Sequence, residues 1–168
     1  LDKTELINWM KLYQQEILSA RQELNDLDAA IGDGDHGSNM DRGMTAVVAD
    51  LEAKEPAELS EIFKIIAMSL LAKVGGASGP LYGTAFLEMS KKARESADVA
   101  ELISAGAAGI AKRGGAVAGD KTMLDVWLPV ADSLQAQTLT PAKIQEFVQT
   151  TKSMQAKKGR ASYLGERS

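Results

Sequence analysis

The chain is predicted to be all-α, and three observations carry that reading. Apolar residues recur at three- and four-residue intervals through much of its 168 residues, no run alternates Val, Ile, Thr and Tyr in the manner of a strand, and only 5% of residues are aromatic. Hydrophobic residues make up 45% of the chain, enough for one core that removes about 70% of the unfolded surface from water. One domain over residues 1–168 is therefore expected, built as a helix bundle.

The elements follow in order. Leu6, Met10, Tyr13, Ile17, Leu24 and Leu27 lie at roughly helical spacing behind the candidate caps Asp2 and Thr4, so the first helix should be long and stop near Gly32. A second should run from about Ser38 to Ala53, and Pro56 suits the start of a third that carries Leu59, Ile62, Phe63, Ile66 and Leu70. After "GGASGP" the stretch "LYGTAFLEMSKKARES" has helical residue types. The next helix is capped by Asp98 and stopped by Gly114 and Gly115. Thr122 to Ala136 should form another, bent or interrupted at Pro129, and Pro141 opens a last one through Ile144, Phe147 and Val148. Most glycines fall in the connections, and no internal repeat is visible.

Composition excludes several classes of function. The net charge is -4, with 19 Lys+Arg scattered among 23 Asp+Glu, so no basic stripe is available for nucleic acid. Without cysteine, disulfides, thiolate zinc sites and Cys nucleophiles are all removed, and catalysis must use oxygen and nitrogen groups. No run approaches the roughly 20 apolar residues of a membrane span, and "LDKTELINWM" lacks the order of a signal peptide. The expected location is the cytoplasm, with no membrane association.

The chemistry-bearing stretch is "LDAAIGDGDHGSNMDRGM", Leu27 to Met44, with Asp28, Asp33 and Asp35, the single histidine, and no basic residue before Arg42. Asp33 and Asp35 point to the same side of an extended segment, and Asp28 lies about one helical turn before Gly32, so the three carboxylates can converge. Two like charges about 4 Å apart repel by roughly 4 kcal/mol at an effective dielectric near 20, which a divalent cation would relieve. An oxygen-only set suits Mg2+ or Ca2+ rather than zinc. An EF-hand loop fails: starting at Asp33 it meets Ser38 and Met44 where glycine and glutamate are required, and starting at Asp35 its twelfth residue is Ala46. Mg2+ is left ahead, and it usually completes its shell with water and substrate phosphate. The competing reading of Asp33 and Asp35 is a solvated turn. His36 can donate to phosphate, ligate metal or serve only structure.

A phosphate cradle is offered by "VGGASGPLYG", where glycines and Ser78 lie at a helix start and successive N–H groups can form an anion nest; the alternative is a helix C-cap and a close helix contact. No Walker motif occurs, since "GAVAGDKT" has Asp120 between Gly119 and Lys121. The basic run Lys157, Lys158, Arg160 and Arg167 provides a counterpart to the acidic loop, so Arg160 can meet a phosphate while Thr122 and Met123 line a pocket for a flat base.

Four stretches, "IGDGDHGSNMDRGM", "KVGGASGPLYGTAF", "GDKTMLDVW" and "KGRASYLGERS", resemble in order the motifs of the DhaL family, the nucleotide-binding subunits of bacterial dihydroxyacetone kinases and the matching domains of their one-chain relatives. The resemblance implies a closed barrel of about eight antiparallel helices with the nucleotide at one end, its phosphates held through two Mg2+ ions. It assigns Asp28, Asp33 and Asp35 to metal, and His36 and Asn39 to the region of the phosphates. Ala77 and Ser78 then belong to the glycine-rich phosphate loop, Gly114, Thr122 and Met123 to the adenine side, and Arg160 to the nucleotide.

It further implies a PTS-dependent phosphotransferase in which ADP stays bound, accepts a phosphoryl group from DhaM and, as ATP, phosphorylates dihydroxyacetone held on DhaK. The alternatives are the nucleotide domain of an ATP-dependent dihydroxyacetone kinase or related fatty-acid kinase, and a non-catalytic nucleotide-binding regulatory module. Family members usually carry an Asp-Pro-Gly stretch and a last helix after "YLGERS", which this sequence does not include, and a longer Pro141–Met154 region.

Overall fold

The structure, a computed structural model, describes residues 1–168 and contains no strand. It has seven α-helices and one 3-10 helix: α1 (Lys3–Ala29), α2 (His36–Lys54), α3 (Leu59–Lys73), α4 (Ser78–Lys92), α5 (Val99–Gly114), α6 (Leu124–Gln135), α7 (Pro141–Thr151) and the 3-10 segment Arg160–Arg167. Each α-helix packs on the next in sequence, and α1 also reaches α3. Short connections between sequential neighbours force an antiparallel arrangement, so α2, α4 and α6 all begin at the same end. No helix is long and apolar enough to cross a membrane.

One cluster of 18 buried residues joins α1 to α6. Leu6, Met10 and Ile17 enter it from α1, Met40, Met44, Val47 and Leu51 from α2, and Ile62, Phe63, Ile66 and Leu70 from α3. Phe86 and Met89 of α4, Leu102 and Ile103 of α5 and Ala131 of α6 complete the cluster. Each of the larger side chains contributes roughly 1.5–3 kcal/mol by leaving water. Phe63 and Phe86 meet with ring centroids 6.2 Å apart. By contrast α7 and the 3-10 segment bury no residue.

The helix boundaries shift from the sequence expectations in instructive ways. Pro56 lies in the connection rather than opening α3, which begins at Leu59 behind an extended Glu58. The second helix starts two residues early, at His36. The fourth begins at Ser78, because Pro80 sits in the first helical turn, where its missing N–H has no intrahelical partner to lose. Helix α6 runs through Pro129 without interruption, beginning at Leu124 rather than Thr122. Its packing on α5 outweighs the hydrogen bond that a proline removes. The basic run near the C-terminus lies mostly in the 3-10 segment, which is broken by the left-handed Gly165.

Asp2 caps α1 with a full capping box, its side chain accepting from Glu5 N and Glu5 answering to Asp2 N, both at 2.8 Å. Asp98 and Thr140 cap α5 and α7.

Tyr13 of α1 and Tyr82 of α4 pack against the core, where loss of hydration pushes both phenols above the ordinary tyrosine value of 10.0. In the unfolded chain these groups ionise near pH 10. Their contribution to stability is therefore complete below that pH and falls as pH rises through the higher folded-state values, by up to about 1.4 kcal/mol per pH unit per tyrosine. Urea midpoints should hold steady to about pH 9 and decline from about pH 10 upward. The double variant Tyr13→Phe, Tyr82→Phe should decline less steeply; an unchanged slope would show that other groups govern alkaline unfolding.

Candidate functional site

The acidic corner is built where α1 hands over to α2. Asp28 lies in the last turn of α1, and residues 30–35 reverse the chain. Its Oδ2 accepts a hydrogen bond of 3.0 Å from Asp35 N, which aims the Asp28 carboxylate across the turn. Asp35 occupies the N-cap position of α2, yet its side chain makes no capping bond, unlike the aspartates that cap α1 and α5. Asp28, Asp33 and Asp35 thereby present oxygens that all lie within 4.8 Å of one another.

The start of α2 is pinned to α1 by a reciprocal pair: Asn25 Nδ2 donates to Ser38 Oγ, and Ser38 N donates to Asn25 Oδ1, both at 3.0 Å. Gly37 makes this approach possible. A Cβ there would stand 2.9 Å from the Arg21 carbonyl carbon and overlap its oxygen.

No basic residue is near this corner in sequence, but folding supplies one. Arg160 Nη1 lies 3.4 Å from Asp33 Oδ1. Both side chains are about two-thirds exposed, at 65% and 64%, so the pair contributes at most about 1 kcal/mol and leaves most of the acidic charge uncompensated. Three convergent, oxygen-only ligands with that residual charge fit a hard divalent cation of the Mg2+ type.

The glycine-rich connection lies beside this corner. Gly76 adopts the left-handed backbone, φ 64°, with open space where a side chain would go. Ser78 Oγ is 3.3 Å from His36 Nδ1, joining the first turn of α4 to the first turn of α2. Buried Asn39 sits against Gly75, whose Cβ would lie 3.2 Å from Asn39 Nδ2. Arg42 braces the other side, donating through Nε to Lys73 O at 3.0 Å and through Nη2 to Asn39 Oδ1.

Helices α2, α4 and α6, which all begin at this end, carry no side-chain cap: Asp35 does not cap, and Ala77 and Met123 cannot. The three N-cap side chains thus leave backbone N–H groups and positive dipole ends open at this end, with only Ser38 N of α2 and Leu124 N of α6 taken by the side chains of Asn25 and Thr122, an arrangement that favours an anion.

A cavity of about 360 Å³ opens next to the glycine loop, within the size range of small-molecule sites. Its wall includes Ala77, Leu81, Ile110, Gly114, Thr122 and Met123, with Arg113, Lys158 and Gly159 at its polar side. Two contacts connect it to the acidic corner. Ala77 precedes Ser78, which meets His36, and Gly159 precedes Arg160, which meets Asp33. The apolar cavity, the uncapped helix starts and the carboxylates therefore form one continuous surface.

Of the residues singled out from the sequence, the structure brings the three aspartates together in the corner, sets His36 against Ser78 and Ala77, Gly114, Thr122 and Met123 around the cavity, and leaves Asn39 buried behind Gly75. Arg160 is paired with Asp33. Sequence reading missed Leu81, Ile110 and Arg113, which look like ordinary helix positions because their role depends on which helix ends they border. It also passed over Asp125, whose signal is positional: a carboxylate in the first turn of a helix that lacks a cap.

The sequence pattern of the DAK2 domain matches residues 30–168. The chain is 48% identical over 171 residues to the PEP-dependent dihydroxyacetone kinase 1, ADP-binding subunit DhaL, of Listeria innocua, covering 99% of this chain and 86% of that one. It is 49% identical over 162 residues to the PTS-dependent dihydroxyacetone kinase, ADP-binding subunit DhaL, of Lactococcus lactis, covering 96% and 84%. Among solved structures, the dihydroxyacetone kinase of C. freundii in complex with AMP-PNP and Mg2+ superposes with a TM-score of 0.78 at 28% identity, over 90% of this chain and 28% of that longer one. The chain belongs to the DhaL family of DAK2-domain proteins.

Proposed function

We propose that residues 1–168 act as a nucleotide-binding phosphotransferase domain, the ADP-binding subunit of a PTS-dependent dihydroxyacetone kinase, with DhaM as phosphoryl donor and DhaK as the subunit that holds dihydroxyacetone. The observation that carries this reading is the continuity of the acidic corner with the base-sized cavity through the His36–Ser78 and Arg160–Asp33 contacts. Asp28, Asp33 and Asp35 would hold two Mg2+ ions. When bound, Mg2+-ADP would supply a phosphoryl acceptor and, once charged, the donor to dihydroxyacetone.

The chain's own groups do the rest. Backbone N–H groups at the start of α4, with Ser78 and His36, donate to phosphate oxygens and hold the transferring group in line. Arg160, released from Asp33, offers a planar guanidinium to the phosphates. Gly114, Thr122 and Met123, with Leu81 and Ile110, enclose the adenine and exclude water from one side of it. Identity of 48% and 49% to two separate ADP-binding subunits, against 28% to the longer C. freundii kinase, supports a relay subunit over an ATP-dependent kinase domain.

The test is mass spectrometry of nucleotide released on denaturing the purified protein, with metal measured on the same sample. ADP near one per chain together with Mg2+ is expected. A protein recovered empty that binds ATP weakly and reversibly would favour the ATP-dependent kinase instead.

A further inference from the structure

We propose that Asp125 is a positioning residue for base recognition: its carboxylate holds the 119–122 loop in the one shape that puts Thr122 and Met123 on the cavity wall. The proposal rests on the nucleotide reading above and adds a residue that touches neither phosphate nor metal. Asp125 is 8% exposed and lies in the first turn of α6. Its Oδ1 accepts from Gly119 N at 2.6 Å and its Oδ2 from Thr122 N at 2.8 Å.

The loop wraps around this carboxylate by an unusual path. Gly119 has φ 85°, and Lys121, a residue with a side chain, is held at φ 56°. A left-handed residue with a side chain costs energy that its surroundings must offset, and the two N–H bonds to Asp125 that flank Lys121 do so, together with the bond from Lys121 Nζ to Ser168 O. Thr122 is then fixed a second time, because its Oγ1 accepts from Leu124 N at 3.2 Å and its carbonyl from Asp125 N at 3.1 Å.

The buried charge of Asp125 meets two N–H donors and no cation, so it is spent on loop shape rather than on chemistry. The neighbouring Asp120 performs a separate task, accepting from Val117 N at 3.0 Å through Oδ2 and lying 3.6 Å from Lys157 Nζ.

Asp125→Asn keeps the size but turns one acceptor oxygen into an amide donor facing an N–H. Calorimetric titration of the wild type and Asp125→Asn with ADP and, separately, with inorganic pyrophosphate, both with Mg2+, reads the two ends of the site apart. ADP affinity should fall about tenfold or more, in the range usual for residues that orient a contacting group, while pyrophosphate affinity stays within about twofold of wild type, because pyrophosphate has no base to place.

A general folding defect would lower both affinities together, and that result, or an unchanged ADP affinity, would overturn the proposal. If Asp125→Asn does not fold, Gly119→Ala decides by the same criterion, since a side chain at φ 85° strains the loop that Asp125 holds while meeting no neighbouring atom and leaving the helices intact. A wild-type protein that binds pyrophosphate but not ADP would overturn the nucleotide reading itself.

Discussion

Asp33→Ala is expected to lower Mg2+-dependent nucleotide affinity and phosphoryl transfer by about 100-fold or more, equivalent to about 2.7 kcal/mol, while leaving thermal stability nearly unchanged. The two effects separate because of where Asp33 stands. It is 64% exposed, makes one exposed ion pair with Arg160, and packs nothing, so its removal should shift stability by no more than about 0.5 kcal/mol. Its carboxylate is nonetheless one of three that converge within 4.8 Å, and a diphosphate brought to the uncapped helix ends needs that cation to neutralise its charge. Titration with ADP at fixed Mg2+, beside a circular-dichroism melt, checks both halves. Wild-type affinity in the variant would remove Asp33 from the metal set.

Gly37→Ala is expected to act the other way round, through the fold first and the site second. A methyl group there overlaps the Arg21 carbonyl of α1, which is backbone and cannot swing aside. Overpacking of this kind costs about 1–3 kcal/mol, and for a chain of this size each kcal/mol lowers the melting temperature by roughly 2–4 °C. Relief requires α2 to move off α1. That motion breaks the Asn25–Ser38 pair and the Asp35 N–Asp28 bond, so the three carboxylates spread and His36 leaves Ser78. A lower melting temperature together with weaker Mg2+-ADP binding is the expected pair of results. A variant as stable as wild type would show that the helices tolerate a wider separation.

Much of this was legible before folding. The apolar spacing of α1, the Asp98 cap and Gly115 stop of α5, and the Thr140–Pro141 start of α7 are local signals, set by hydrogen bonds and torsions within a few residues. They survive into the structure because nothing distant competes with them. The starts of α2 and α6 moved by two residues, and the larger departures lie at prolines. Pro56 is buried in a connection, Pro80 sits in a helical first turn, and Pro129 lies inside α6, and in each case packing rather than torsional preference decided the outcome.

The site divides along the same line. The sequence by itself determined the chemistry of the parts: an oxygen-only acidic loop, a glycine-rich connection at a helix start and a basic C-terminal run, each recognisable from residue types at short spacing. Only the tertiary structure decided that they meet. Arg160 lies more than a hundred residues after Asp33 in the chain, Ser78 and His36 are 42 residues apart, and the cavity takes its walls from α4, α5, the α5–α6 connection and residues 158–159. The physical reason is the antiparallel packing of α2, α4 and α6, which brings three uncapped helix starts to one end. No local pattern encodes which helix ends will be neighbours, because that is set by how the shared core is buried.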